Sequence, residues 1–125
     1  AQFGSIQMSQ SSGIFTFPST GFYKIDFIAL ISYGNVADNQ TVIKTQITTD
    51  NSSYSDIARA SAGLHDTSGG NVHENASEVS TLIDVTNTSN VKVKFEAQSI
   101  NNTTTVKGDS TRNETFFTFI RLGDT

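Results

Sequence analysis

Apolar and charged residues alternate strictly over Val91–Ala97, where Lys92, Lys94 and Glu96 separate the apolar side chains. Successive side chains of a β-strand point to opposite faces, so this pattern puts the apolar residues on one face and the charges on the other. An α-helix of the same sequence would carry charge all round its cylinder. The segment is therefore predicted to be a strand with one face against a core.

The same alternation recurs along the chain and predicts an all-β fold. Clusters of Gly, Asn, Asp and Ser separate the runs at intervals of about 8–12 residues, which is typical of sandwiches and barrels. No segment has a sustained helical period. We expect nine or ten strands, placed at Ile6–Ser9, Ile14–Phe17, Phe22–Ser32, Thr41–Thr49, Ile57–Leu64, Ser77–Val85, Val91–Gln98, Thr103–Val106 and Thr115–Leu122.

Size and charge bound the organisation and the partners. The 125 residues suit one domain, so residues 1–125 are predicted to form a single domain, the C-terminal head of a longer or stalked assembly. A net charge of −4 with scattered Lys and Arg argues against nucleic acid as a partner. The chain has no cysteine, which excludes disulfides and Cys-ligated metals. No apolar run is long enough for membrane insertion.

The last predicted strand, Thr115–Leu122, is apolar on both faces. Its two rows of apolar side chains are Phe116, Ile120 and Leu122 on one face and Phe117 and Phe119 on the other. Such a strand needs cover on both sides. The sandwich core covers one face, and we expect a second copy of the chain to cover Phe117 and Phe119. A loop of the same chain is the alternative cover.

The segment Gly13–Phe27 resembles the signature of the C1q/TNF-like jelly-roll family. The family pattern is Gly-x-Phe-x-x-Pro-x-x-Gly-x-Tyr followed by an aromatic residue, and it is matched by Gly13, Phe15, Pro18, Gly21, Tyr23 and Phe27. Thr88–Phe95 is similar to a later turn and alternating strand of the family, and Thr115–Leu122 is similar to its closing strand. The resemblance spans about residues 13–122.

This resemblance implies a two-sheet antiparallel jelly-roll sandwich of about ten strands that assembles as a homotrimer, with the closing strand near the three-fold axis. Family members are ligand- or receptor-binding heads and not enzymes. The trimer interface would then include Phe117, Phe119, Arg121, Lys92 and Lys94. If the two lysines face the axis, Glu96 or a bound anion must compensate their charge.

The composition adds a narrower resemblance, to structural proteins of phages that infect cyanobacteria. The chain has 16 Ser, 17 Thr and 10 Asn residues and no Cys. This resemblance implies a location on the virion surface or outside the cell, with other virion proteins as partners.

No cofactor or metal is expected, and neither is catalysis. No Gly-x-Ser-x-Gly nucleophile elbow is present. His65, Asp66, His73 and Glu74 flank the Gly69-Gly70 loop and are only weak candidates for a divalent-metal site. Oxygen ligands for Ca²⁺ could come from Asp38-Asn39, Asp50-Asn51 and Asp109. No spacing matches a calcium loop, so solvated turns are the preferred interpretation.

We expect a non-enzymatic, trimeric virion head that binds a host-surface glycan or protein receptor through its loops. Binding residues concentrate on loops that a rigid scaffold carries. The candidate ligand-contact residues are Asn35, Asp38, Asn39, Asp66, Asn71, Asn101, Asn102 and Asp109. Two alternatives stay open: a purely structural capsid-decoration or fibre-capping trimer, and a secreted cytokine- or complement-like receptor ligand.

Overall fold

Long alternating strands dominate the computed structural model of the chain, which describes residues 7–34, 36–64 and 72–125. The described residues contain no helix, which confirms the all-β prediction. Their nine strands are β1 (Ser9–Ser11), β2 (Ile14–Thr16), β3 (Gly21–Tyr33), β4 (Asp38–Thr48), β5 (Ser55–Leu64), β6 (His73–Val85), β7 (Lys92–Gln98), β8 (Thr104–Val106) and β9 (Phe116–Gly123).

These strands form two antiparallel sheets. The five-stranded sheet has the order β1-β2-β7-β4-β5. The four-stranded sheet is built on β3, which pairs with β6 along its whole length. Because β6 occupies one edge of β3, β8 and β9 share the other edge, with β9 opposite Phe22–Ile28 and β8 opposite Ile31–Tyr33.

The core lies between the two sheets. Every second residue of β3 from Tyr23 to Tyr33 is buried, as the sequence alternation predicts. These side chains cluster with Val93 of β7 and Ile43 of β4 from the opposite sheet. The sheets therefore pack face to face as a sandwich.

An aromatic cluster joins the closing strand β9 to this core. The ring of Phe117 stacks on Phe95 at 4.1 Å between centroids and lies 5.0 Å from Phe27. Phe119 lies 5.4 Å from Phe15. Each favourable aromatic pair adds about 0.5–1.5 kcal/mol beyond area burial. The cluster thus anchors β9, the edge strand of its sheet, to the rest of the chain.

Two turns explain why glycines occur in the Gly13–Phe27 segment. Ser12 and Gly13 both have positive φ, 50° and 80°, and form the two-residue turn of the β1–β2 hairpin. Gly21 opens β3 with φ of 136°, and a Cβ there would overlap the carbonyl oxygen of Gly123. Gly21 therefore allows the C-terminal end of β9 to approach the β2–β3 turn closely.

Strand directions define two ends of the sandwich. At one end, here named the tip, β3, β5 and β7 end and β4, β6 and β8 begin. At the other end, here named the base, β4 and β6 end and β5 and β7 begin. Gln7 and Thr125 lie within two residues of strand ends at the base. β3 runs from base to tip over about 40 Å at 3.3 Å per residue.

Three strands begin three or more residues away from their predicted starts, and the other boundaries differ by at most two residues. β6 begins at His73 and not at Ser77, because residues 73–76 pair with the tip half of β3 although all four are exposed. β4 begins at Asp38 and not at Thr41, with a register shift between these two residues. β1 covers Ser9–Ser11, and Ile6 of the predicted first strand lies outside the described residues.

Candidate interaction surfaces

The candidate ligand-contact residues belong to three loops, residues 35–40, 65–75 and 101–109. Described residues of all three loops lie at the tip. Gly34, after β3, donates its backbone N–H to the carbonyl of Thr103 at 2.9 Å. Val72 directly precedes β6 at the same end. The connection before β4 and the β7–β8 loop meet at Asp38 and Asn101, where the backbone N–H of Asn101 donates to Oδ2 of Asp38 at 3.2 Å.

Within the tip, however, Asp38 and Asn101 hold the loops together. Asp38 is only 7% exposed. Oδ1 of Asn101 accepts hydrogen bonds from the backbone N–H of Thr103 at 2.9 Å and from the hydroxyls of Thr103 and Thr104 at 3.0 and 3.1 Å. Its Nδ2 donates to the carbonyl of Ala37 at 3.1 Å. Both side chains therefore have a structural role in the tip, and their contact with a ligand stays a prediction.

The other predicted contact residues do not all lie at the tip. Asn39 and Asn102 are exposed near the tip. Asp109 lies between β8 and β9, away from the tip, and its Oδ1 accepts from Thr111 N at 2.7 Å and Arg112 N at 3.2 Å. Hydrogen bonding from Thr111 lowers the pKa of Asp109. Asn35, Asp66 and Asn71 lie outside the described residues.

The weak metal candidates do not form a site where they are described. His73 and Glu74 are adjacent residues of β6, so their side chains point to opposite faces of the sheet. Glu74 is already paired with Lys107, at 2.7 Å between Oε1 and Nζ. His65 and Asp66 lie outside the described residues. Within residues 7–34, 36–64 and 72–125, no three His, Asp or Glu side chains cluster as metal ligands would.

The five residues predicted for one trimer interface lie in three different places. Phe117 and Phe119 pair in register with Phe27 and Ile25 and face the core, although Phe117 remains 38% exposed at the sandwich edge. Arg121 lies at the base, where its guanidinium donates to the carbonyl of Thr20 at 3.0 Å and contacts Asp124. Lys92 and Lys94 belong to the other sheet. The five residues are thus divided between the edge of the core, the base and the outer face of the other sheet, and their role in one trimer interface stays a prediction.

Lys92 and Lys94 lie on the outer face of the five-stranded sheet, which is polar and internally paired. The ammonium of Lys94 lies 4.4 Å from the ring centroid of Tyr54. Lys44, on β4, pairs with Asp56 of the neighbouring edge strand β5 at 2.7 Å. The hydrogen bond from Lys44 lowers the pKa of Asp56. Lys44 and Lys94 are therefore already engaged within this face.

The outer face of the four-stranded sheet differs, because its base half carries several large exposed apolar side chains. Its exposed large side chains are Phe22 (45%), Leu82 (68%), Ile120 (46%) and Leu122 (58%), here named the outer patch. Lys24 lies in register between Leu82 and Ile120, and Phe22 is the next outward residue of β3. Leu122 is the extra residue of a β-bulge between Arg121 and Gly123.

The sequence indicates this patch through pairs of adjacent apolar residues, which interrupt the alternation of apolar and polar residues. Phe22-Tyr23 and Leu82-Ile83 are adjacent apolar pairs, so one member of each pair must leave the core face of its strand. The structure places Tyr23 and Ile83 inside and Phe22 and Leu82 outside. Thus the two-sided character predicted for the last strand is right, but the outward row is Phe116 and Ile120 rather than Phe117 and Phe119.

The two charged residues of β3, Lys24 and Asp26, lie beside the outer patch and compensate each other. Lys24 pairs with Asp26 two residues on, at 2.9 Å between Nζ and Oδ2. Hydrogen bonding from Ser80, which lies directly opposite in register, and from Lys24 holds the pKa of Asp26 below its usual value. Asp26 is therefore ionised at neutral pH and balances the charge of Lys24.

No family model and no curated protein matches the sequence. In the described part of the chain, no helix has the length and apolar character needed to cross a membrane.

Proposed function

We propose that this chain is a non-enzymatic, homotrimeric C1q/TNF-like jelly-roll head of a virion appendage, which binds a host-surface glycan or protein receptor through the loops of its tip. The observation that carries the proposal is the separation of the two ends. The loops before β4 and β8 meet at the tip, about 40 Å from the base at which both described chain ends lie. A head held at its base would present these loops outward.

The order of the strands supports the jelly-roll part of the proposal. Along the chain, β2, β4, β5 and β7 belong to one sheet and β3, β6, β8 and β9 to the other, so the chain crosses repeatedly between the sheets. Sequential strands that alternate between two packed sheets are typical of Greek-key sandwiches such as the jelly roll. The outer patch is compatible with self-association, because the largest exposed apolar patch of a domain is often a functional surface.

One observation favours the purely structural alternative. Two of the predicted contact residues, Asp38 and Asn101, are used to tie the tip loops together. A tip whose polar groups are satisfied internally suits a capsid-decoration or fibre-capping trimer that only closes an assembly. The third alternative, a secreted cytokine- or complement-like ligand, predicts binding to an animal-cell receptor in place of a bacterial surface.

Binding of labelled protein to intact cells of a panel of cyanobacterial strains, and to a glycan array, tests the proposal. We expect binding that is lost when Ile100 and Asn102, both exposed at the tip, are replaced by Ser and Ala. The matched control is Asn51→Gly in the base turn, where φ of 60° suits glycine, and it should bind like the wild type. Folded trimer that binds no strain and no glycan would refute adhesion and favour the capping role.

A further inference from the structure

We infer that the outer face of the five-stranded sheet is a second binding surface, which binds an acidic polysaccharide, a glycan whose sugars carry carboxylate or sulfate groups. The surface, here named the basic face, is formed by Lys44, Arg59, Lys92 and Lys94. It lies on the side of the sandwich and is separate from the tip through which the proposed function acts. All four residues belong to one sheet of one chain, so the surface does not depend on a trimer.

The charge of the basic face is opposite in sign to that of the whole chain. On their outward side, its strands carry four of the eight Lys and Arg residues but only two of the twelve acidic residues, Asp56 and Glu96. The face thus has a net charge of +2, whereas the remainder of the chain has −6. A negative remainder repels an anionic partner, so this separation of charge directs such a partner to the one positive face.

The cations that lack a carboxylate partner all lie on the basic face. Ion pairs hold the other four cations of the chain, which are Lys24, Lys107, Arg112 and Arg121. On the basic face, Lys44 has such a pair, with Asp56. Among the described residues, no carboxylate lies within 4 Å of the charged nitrogens of Lys92, Lys94 or Arg59. The positive charge that is free to meet a ligand is therefore concentrated here.

The four cations are close enough together to contact one short stretch of a sugar chain. Lys44 is directly opposite Arg59 in the pairing of β4 with β5. Lys92 and Lys94 are two residues apart on β7, which borders β4 on its other side. With strands about 4.8 Å apart and a rise of about 3.3 Å per residue, Arg59 and Lys92 are about 16 Å apart and the others lie between them. Like charges gathered on one sheet face destabilise the sheet, and a bound anion removes this cost.

An aromatic ring crosses the same face. Tyr54 precedes β5, yet the centroid of its half-buried ring lies 4.4 Å from Nζ of Lys94 on β7. Because β4 lies between β5 and β7, the ring extends over β4. Gln46, the β4 residue in register with Lys94, donates from Nε2 to Oδ1 of Asp56 at 2.6 Å. Cations, a carboxylate, an amide and an aromatic ring therefore lie side by side on this surface.

This mixture of groups favours an acidic polysaccharide over a nucleic acid. Sugar hydroxyls need acceptors as well as donors, and two carboxylates lie beside the cations, Asp56 in contact with Lys44 and Glu96 opposite Lys44 in register. The apolar C–H face of a sugar ring can pack on an aromatic side chain such as Tyr54. Duplex DNA carries one charge per about 1.7 Å, and the two carboxylates would repel it. In an acidic polysaccharide the charges are separated by uncharged hydroxyls.

Biolayer interferometry with immobilised alginate, a polysaccharide of uronic acids, tests the inference on three proteins. The first is the wild type. The second carries Arg59→Gln and Lys92→Gln, which remove the two basic-face cations that have neither an ion pair nor a ring contact among the described residues. The third is the matched control, Lys107→Gln with Arg112→Gln, which removes one Lys and one Arg between β8 and β9. Far-UV circular dichroism and a melting curve establish that each variant is folded.

We expect the wild type and the control to bind alginate equally well at about 50 mM salt, and the basic-face variant to bind about tenfold more weakly or less. For the wild type log K should fall as log salt concentration rises, and the slope for the variant should be shallower by about 1. Immobilised neutral dextran should retain none of the proteins. Dextran sulfate, as a second probe, distinguishes sulfate from carboxylate as the anionic group.

Three results would overturn the inference. The first is that the basic-face variant binds as the wild type does, and the second is that the wild type binds neither alginate nor dextran sulfate. The third is tighter binding to duplex DNA than to either polysaccharide, which would make the basic face a nucleic-acid surface. The tip variant of Ile100 and Asn102 should bind alginate like the wild type, so a failure of host-cell binding through the tip and a failure of this inference are separate results.

Discussion

Replacing Asn101 by alanine should destabilise the domain strongly, although the side chain lies in a surface loop. The change removes hydrogen bonds from the backbone N–H of Thr103, the hydroxyls of Thr103 and Thr104, and to the carbonyl of Ala37. A net hydrogen bond contributes about 0.5–1.5 kcal/mol, and a buried hydroxyl left unpaired costs about 1–3 kcal/mol. Thr104 is only 5% exposed, so its hydroxyl belongs to the second class.

Together these losses amount to about 3 kcal/mol, because the more exposed partners recover water as a hydrogen-bonding partner. For a domain of 125 residues this corresponds to a decrease in Tm of about 10 °C. Differential scanning calorimetry measures the decrease, with all proteins at one concentration because self-association makes Tm depend on concentration.

The neighbouring Asn102→Ala is the matched control. Asn102 is exposed in the same loop, and its replacement should change Tm by less than about 2 °C. If Asn101→Ala melted with the wild type, Asn101 would not be holding the tip together. The two asparagines are adjacent in sequence, so the comparison separates burial and bonding from position in the loop.

Two further predictions concern a glycine at the base and the thermal stability of the fold at low pH. Gly21→Ala should cost about 2 kcal/mol in the free energy of unfolding, because φ of 136° disfavours alanine and the added Cβ meets the Gly123 carbonyl. The control is Gly108→Ala, because a Cβ at Gly108 meets nothing within 4 Å. Equal urea midpoints for the two variants would contradict the predicted backbone strain at Gly21. The pKa values of Asp26 and Asp56 lie below 3.8 in the folded state. The contribution of these two carboxylates to the free energy of unfolding is thus fully present above the pKa of an unfolded Asp. It is lost as pH falls through their pKa values in the folded state. Tm should therefore be nearly constant from about pH 5 to 9 and fall below about pH 4; a Tm that rises on acidification would refute this pairing.

Sequence alternation predicted most of the sandwich because period-2 patterning records which face of a strand is buried. β7 lies within one residue of its predicted range Val91–Gln98, and β3 within one residue of Phe22–Ser32 at each end. The first four residues of β6 were missed because residues 73–76 are all exposed and do not alternate between apolar and polar. Its pairing with β3 joins residues 40 or more positions apart, such as Tyr33 and His73, which no local pattern encodes.

The candidate surfaces were harder to predict for the same reason. In β9 both rows are apolar, so alternation alone does not decide which row faces the core. Register with β3 decides it, since Phe117 is opposite Phe27 and Ile120 opposite Lys24. Likewise Lys92 and Lys94 could be placed on one sheet or the other only once β7 was known to pair with β2 and β4.

Native mass spectrometry of the wild-type chain tests the central claim most directly, because it counts chains in the assembly. Three copies of the 13.5 kDa chain, observed over a range of concentrations, are the predicted result. A single chain at all concentrations would contradict the proposed homotrimer.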